Sequence, residues 1–313
     1  MVKGIPYEGK RGRILDRNGK VLAYNITAPT IMAIPVQIDD KVKTAKALAE
    51  VLDMREEKVF QLISKRELKV YIAPQGRKIT EELAKKVYDL NLPGIVVTED
   101  SKRFYPNGSF LSHVLGFAGS DNQGLTGIEL IHDEMLTVKS GNVSFTSDNQ
   151  GREMPGQKYT YLPPEDGKDL VLTIDKMIQS FIEREMKQAM LKYQADGAMA
   201  IAMNPKTGEI YGMASYPNYD PGNFQDYPSE IYNRNQAIWR SFEPGSTFKI
   251  ITLAAALEEK KVNLKEAFYD PGFITVAGQR LRCWKRQGHG SESFLEVVEN
   301  SCNPGFVTMG QRL

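Results

Sequence analysis

The chain is short of several residue types, and each shortage removes a class of protein. Among 313 residues there are two cysteines, Cys283 and Cys302, three histidines and two tryptophans. Neither cysteine belongs to a C-x-x-C pair. His113, His132 and His289 are scattered without the usual ligand spacing, so no metal site and no cofactor are expected. Net charge is only +1, with acidic and basic residues interspersed, which gives no basic surface for nucleic acid. No apolar run approaches a bilayer span, and Met1-Val2-Lys3-Gly4 opens no signal-peptide core. The length exceeds one ordinary domain, and 41% apolar residues suffice for real cores.

The stretch with the most chemistry is Phe242-Glu243-Pro244-Gly245-Ser246-Thr247-Phe248-Lys249. Pro244-Gly245 punctuates a turn, and Ile250 to Lys260 then reads as a helix, apolar on nearly every side and expected to be buried. Ser246 and Lys249, three residues apart, fall on one helix face. A serine hydroxyl needs a base to become a nucleophile, and a lysine serves as one only when burial lowers its pKa. A lone S-x-x-K is also what any helix start with a solvated lysine looks like, so the rest of the chain has to decide.

The front half reads as mixed α and β. Asp16-Arg17-Asn18-Gly19 has hairpin-turn chemistry between short strands. Asp39 or Asp40 caps a helix with Val42, Ala45, Leu48, Ala49 and Leu52 on one side. A short helix near residues 58–65, a strand at 70–73, a helix at 80–90 and a strand at 94–97 follow. Residues 103–151 are loop-rich, with a helix expected over 129–136. Residues 159–168, with Pro163-Pro164 and Gly167, make the best linker. Beyond it come a strand at 169–174, a helix over 175–193 with an apolar stripe from Ile178 to Tyr193, and a hairpin of strands 197–203 and 209–215.

A second motif, Ser301-Cys302-Asn303, follows Ser246; S-x-x-K with a later S-x-N is the grammar of penicillin-binding proteins and serine β-lactamases. Ser120-Asp121-Asn122, Ser147-Asp148-Asn149 and Lys206-Thr207-Gly208 match pieces of that grammar but precede the nucleophile. They read as loop and turn chemistry, with Lys206 pointing to water.

With both motifs in hand, the chain resembles the class B penicillin-binding proteins, the monofunctional peptidoglycan transpeptidases. Arg11 to Gly19, Arg103-Phe104-Tyr105-Pro106, Gly124-Leu125-Thr126-Gly127-Ile128-Glu129 and Asp148-Asn149-Gln150-Gly151 resemble the family's non-catalytic pedestal. Leu172-Thr173-Ile174-Asp175, Asn204 to Ile210, Glu243 to Lys249 and Ser301 to Pro304 resemble the start of its transpeptidase domain. Cys283-Trp284-Lys285 with Gly288-His289-Gly290 looks like the elongation and sporulation branches.

The resemblance implies an α+β fold: a mixed pedestal over residues 1–160, then an antiparallel sheet flanked by helices over 161–313, C-terminally incomplete. The family's third motif falls beyond Leu313. It implies serine D,D-transpeptidation of stem peptides, with Ser246 as nucleophile, Lys249 as base, Ser301 as proton relay and Asn303 as positioning amide. β-Lactams would inhibit by acylating Ser246. Implied partners are D-Ala-D-Ala stem peptides, a membrane glycosyltransferase and divisome or elongasome proteins. The implied location is the cell membrane, with the catalytic part outside the cytoplasm. Two other readings stay open: a β-lactam-hydrolysing or -sensing serine protein, and a pedestal that chiefly docks partners. In an oxidising compartment Cys283 and Cys302 are also candidates for a disulfide.

Overall fold

In a computed structural model, residues 2–7, 10–137, 141–146, 160–162 and 165–313 are described. The Asp148 to Gly151 motif, Ser147-Asp148-Asn149 and part of the expected linker lie outside them. The chain divides into two compact units, residues 1–240 and 241–313. The α+β class is as expected.

The first unit is built on the long strand Val21–Ala33, which pairs antiparallel with Ile95–Phe104 from Tyr24 opposite Phe104 to Ala33 opposite Ile95. Val21–Ala33 is longer than its partner in the turn, Ile14–Leu15, because most of its length pairs with Ile95–Phe104. The buried Asp16 carboxylate accepts from the amides of Asn18 and Lys20, and Gly19 takes the positive φ the turn needs. The other oxygen of Asp16 accepts from the amide of Lys176, which ties this turn to the start of the helix Lys176–Tyr193. On the other side of the turn, Ile14–Leu15 pairs antiparallel with Val21–Ala33 and parallel with Leu170–Val171.

Helices Lys41–Leu52, Glu56–Ile63 and Glu81–Asp89 cover the far end of the long strand. Asp40 caps the first by accepting from Lys43, and Thr80 caps the third through Leu83. Ala45, Leu48, Ala49 and Leu52 face Val59, Ile63, Ile31 and Ala33, whereas Val42 lies on the exposed side, contrary to expectation. A second core gathers Ile14, Leu22, Tyr105, Leu111, Leu115, Phe117, Leu136, Ile174 and Tyr219. In place of one helix over 129–136, Gly127–Ile131 and Asp133–Leu136 break at His132.

The pedestal-like motifs meet at one buried point. Arg11 donates through Nε and Nη2 to Glu129 Oε2 at 3.0 and 2.8 Å, and through Nη1 to Asp133 at 2.7 Å. Arg103 donates to Glu129 Oε1 at 2.6 Å and to the carbonyl of Gly12 at 2.7 Å. Glu129, Arg11 and Arg103 are all buried. A carboxylate out of water survives only with its lone pairs filled, and two guanidinium forks do that here.

The hairpin Ala198–Met203 and Ile210–Tyr216 carries the exposed Lys206-Thr207-Gly208 turn. Buried Gln179 on Lys176–Tyr193 acts as a strand edge for it, donating to the carbonyl of Met213 and accepting from its amide. Gly212 makes this approach possible, since a Cβ there would meet Ile182 at 2.5 Å. Phe181 and Tyr193, placed on the apolar stripe by spacing alone, are exposed.

In the second unit a 3₁₀ turn, Gly245–Phe248, runs into the helix Lys249–Glu258. Strand Ala267–Asp270 pairs with Gly290–Ser293, and Phe273–Val276 forms a hairpin with Gln279–Arg282. A capping box of Ser293 and Glu296 starts Phe294–Glu299, and Asn303–Gln311 follows. The last two helices approach closely at Gly305, where a Cβ would strike Val297. Ala256, Val262, Cys283, Phe294, Val297, Cys302, Phe306 and Met309 form the core. The expected burial of Lys249–Glu258 is corrected: Ile250, Ile251 and Leu257 are exposed, and only Ala256 is fully covered. An all-round apolar sequence shows that a helix can be buried on every side, not that this chain supplies every side.

Candidate active site

Lys249 stands at the first position of its helix, and its Nζ reaches the segment that precedes Asn303–Gln311. It lies 2.8 Å from the carbonyl oxygen of Ser301, 3.0 Å from Ser301 Oγ and 2.6 Å from Asn303 Oδ1. The ring of Phe306 sits 5.2 Å away, so the amine meets an aromatic face as well as three oxygens. Two motifs more than fifty residues apart thus close on one amine. Ser301 is held at φ 48°, left-handed for a residue that is neither glycine nor asparagine. That turn brings its carbonyl and hydroxyl to the lysine together.

The three oxygens are not equivalent. The carbonyl of Ser301 and the amide oxygen of Asn303 can only accept, so each takes one amine hydrogen. The Ser301 hydroxyl can accept or donate. If the amine is neutral, its lone pair is left facing that hydroxyl, which then donates to it. Burial lowers the Lys249 pKa from its ordinary value, and the neighbouring thiols of Cys302 and Cys283 pull the other way. The lysine is half-buried rather than largely buried, since one side of its helix lies open.

Ser246 occupies the 3₁₀ turn one step before Lys249 and is exposed. Gly245 precedes it at φ 57° with nothing around its missing side chain. Among the described residues the Ser246 hydroxyl makes no hydrogen bond, although its carbonyl accepts from the amide of Lys249, and Thr247 in the same turn donates to the carbonyl of Pro244. The structure therefore brings together Lys249, Ser301 and Asn303 and leaves Ser246 open beside them in sequence. Ser120-Asp121-Asn122 is a loop in the first unit: Asp121 pairs with Arg77, and Asn122 donates to the carbonyl of Ser101.

Sequence reasoning missed the support behind Asn303. Asn303 Nδ2 donates to the carbonyl of Arg282 at 2.9 Å, and Trp284 Nε1 donates to the carbonyl of Asn300 at 2.8 Å. The segment 282–284 thereby grips Ser301-Cys302-Asn303 on both flanks. It also missed a cluster. Asp270, Cys283, His289 and Cys302 lie with their ligand-type atoms within 4.8 Å of one another. Spacing could not show this, because the four side chains come from four separate turns. The one available signal was Gly288-His289-Gly290, where both glycines adopt positive φ to swing the imidazole inward. Both cysteines are free and buried. Burial and the carboxylates of Asp270 and Glu292 push the Cys302 thiol up. Burial opposes ionisation of Asp270, but hydrogen bonds from the His289 ring and from the amides of Gly272 and His289 overcome it and hold the carboxyl low.

A buried pedestal knot of this kind and an S-x-x-K lysine held by S-x-N define a class. The penicillin-binding protein dimerisation domain matches residues 6–172, and the penicillin-binding protein transpeptidase domain matches residues 198–313. The chain belongs to the class B penicillin-binding proteins, of sporulation or elongation type. It is 54% identical over 312 residues to stage V sporulation protein D of Bacillus subtilis, covering 99% of this chain and 48% of that protein. It is 32% identical to the peptidoglycan D,D-transpeptidase FtsI of Escherichia coli, covering 79% of this chain and 42% of that one. Among solved structures, a peptidoglycan synthetase from Bifidobacterium adolescentis is 25% identical with a TM-score of 0.70, over 100% of this chain and 61% of that one. Penicillin-binding protein 2 of Helicobacter pylori, in complex with MreC, is 23% identical with a TM-score of 0.81, over 100% and 63%. The chain spans about half the length of the curated relatives it matches.

Proposed function

We propose that the protein to which this chain belongs is a serine D,D-transpeptidase that cross-links peptidoglycan stem peptides. The observation that carries the reading is the Lys249 amine held at 2.6–3.0 Å by Asn303 and Ser301. In the reaction, Ser246 Oγ attacks the carbonyl carbon between the two D-alanines while its proton passes to neutral Lys249. Ser301, bonded to that amine, relays the proton to the leaving nitrogen, D-alanine departs, and an ester remains on Ser246. An amine of a second stem peptide attacks the ester, forms the cross-link and restores the serine. Asn303 orients lysine and substrate backbone. A β-lactam enters by the same attack, but its ring-opened leaving group stays attached.

Residues 1–160 serve as the pedestal and the remainder as the transpeptidase portion. The relatives' names support an envelope location with the catalytic part outside the cytoplasm; no described helix is long and apolar enough to cross a membrane. That the H. pylori neighbour was solved in complex with MreC is consistent with elongasome-type partners, and we place their docking on the pedestal as part of this proposal. The test is intact-mass measurement on the full-length protein with benzylpenicillin. One adduct per chain that persists, maps to Ser246 and vanishes in Ser246→Ala supports transpeptidation. An adduct that turns over within minutes supports a β-lactam hydrolase instead, and no adduct overturns both.

A further inference from the structure

We propose that the first unit carries a binding site for a small organic dicarboxylate, in the cavity lined by Arg77, Lys78, Lys102 and Arg103. The cavity measures about 410 Å³ and lies wholly within residues 73–226. Small-ligand sites run from about 300 to 1,000 Å³, so the space suits a ligand and far exceeds one trapped water. Its cations come from two stretches distant in sequence, Arg77-Lys78 and Lys102-Arg103. Ser120, from the first Ser-Asp-Asn match, lines it as well. The site does not depend on the transpeptidase reading.

Both guanidinium groups of this wall have an N–H left over. Arg77 commits Nη1 to Asp121 at 2.7 Å and Nη2 to Asp100 at 3.0 Å. Arg103 commits Nε to Glu129, and Nη1 to the carbonyl of Gly12 and the side chain of Asn25. Among the described residues, Arg77 Nε and Arg103 Nη2 are buried with no hydrogen-bond partner, and the Arg103 side chain is only 2% exposed. A buried N–H without an acceptor is destabilising, and folded proteins keep few of them. Two on the residues of one cavity point to an acceptor that enters from outside the chain. A carboxylate is acceptor-only, and its two oxygens match the guanidinium fork.

An entering group meets mostly positive charge. Asp100, Asp121 and Glu129, which pair with the two arginines, are not among the residues that line the cavity. The acidic side chain that does line it, Asp226, is exposed. Lys78 bonds the neutral side-chain oxygen of Asn122 at 3.4 Å, and Lys102 makes no hydrogen bond or ion pair among the described residues. Inorganic phosphate would occupy one cationic corner and leave most of the space empty. Tyr105, Pro221 and Phe224 add apolar wall, and Phe224 is held by stacking on Phe117 with ring centres 3.8 Å apart. A carbon body packs there while a carboxylate at each end reaches the cations.

The test is isothermal titration calorimetry on the full-length protein. The probes are acetyl-Asp-Glu-amide, its uncharged twin acetyl-Asn-Gln-amide, glutarate and inorganic phosphate. At least one dicarboxylate is expected to bind tenfold or more tightly than the twin and phosphate. Preference for the peptide assigns the ligand to acidic peptides, and preference for glutarate assigns it to free dicarboxylic acids; either supports the site. Lys102→Gln and Arg77→Lys, each shown to be folded by its melting curve, are expected to weaken binding about tenfold, as loss of one charge-assisted hydrogen bond does. Lys206→Gln, which removes a cation from the exposed hairpin turn, is expected to leave binding unchanged. No binding of either dicarboxylate at millimolar concentration overturns the site. Phosphate bound as tightly as the dicarboxylates overturns the ligand class. Equal weakening by Lys206→Gln, or none by Lys102→Gln and Arg77→Lys, overturns the placement.

Discussion

The first unit buries a carboxylate between two guanidinium groups, and the second holds a single lysine among neutral oxygens. Both hold cations in partly or wholly dry surroundings, yet they are built for opposite ends. Glu129 fills both oxygens with Arg11 and Arg103, and Asp133 pairs with Arg11 as well, so two carboxylates balance two guanidinium groups. Among the described residues, Lys249 has no carboxylate within hydrogen-bond reach, only two carbonyl oxygens and a hydroxyl. The knot pairs its charges; the lysine, with its pKa lowered by burial, is left able to lose its proton. A structural charge is paired, whereas a reactive one is solvated by dipoles that tolerate either state.

Removing the reactive cation should give the larger effect on chemistry. Lys249→Met in full-length protein is expected to slow penicillin acylation by three orders of magnitude or more, at the upper end for loss of a general base. Its thermal stability should stay within a few degrees of the parent, because no buried counter-charge is orphaned. Stopped-flow acylation and a melting curve check both halves, and a drop in melting temperature as large as that of the next variant would erase the contrast.

Glu129→Gln tests the other side. It leaves two buried guanidinium groups facing a neutral amide, and the expected cost is about 3–5 kcal/mol. Denaturant unfolding measures it. Material that stays folded at low temperature should still acylate near the parent rate. Ser301→Ala ranks below these. It removes the hydroxyl that faces the lysine but leaves the carbonyl and Asn303, so acylation should fall about a hundredfold. An unchanged rate would remove Ser301 from the proton path.

The two regions also differ in how far the sequence revealed them. Arg11, Arg103 and Glu129 stand out as motif residues, but nothing in one sequence says that they meet; a connecting segment, the end of a strand and a short helix bring them together. The turn at Asp16 to Gly19, the cap at Asp40 and the 204–208 hairpin are legible because their determinants are local. Ser301 and Asn303 with Lys249 were legible only as a resemblance, and the half-open state of the lysine was not. Exposure of Ile250 and Ile251 depends on what packs against them, which no periodicity contains. The cluster of Asp270, Cys283, His289 and Cys302 was least legible, since its ligands are adjacent only after four turns have folded.

The smallest effect is one of pH, and it separates the two regions by window. Burial works against the Asp133 carboxylate, but the amide of Gly124 and the Arg11 guanidinium outweigh it and hold the pKa below the ordinary value. A group depressed in the folded state contributes stability above its unfolded pKa, and loses it as pH falls through the folded one. The contribution of Asp133 is therefore complete at neutral pH and disappears only in acid, below about pH 4. Lys249 is depressed as well, by burial first. Below its folded pKa it is charged in both states, and the folded protein bears the full cost of that charge. Between the folded pKa and the ordinary 10.5, the unfolded chain holds the proton and the folded chain does not, so stability rises with pH. Unfolding free energies of the parent and Lys249→Met should accordingly converge as pH rises toward 10.5, with the variant the more stable of the two below the folded pKa once lost packing is subtracted. Parent and Asp133→Asn should converge only in acid. Taking differences against each variant cancels the tyrosines and cysteines that titrate in the same alkaline range. A gap between parent and Lys249→Met that stays constant from pH 7 to 10.5 would show that the lysine's surroundings do not favour its neutral form, and the three oxygens would then be holding an ammonium, not a base.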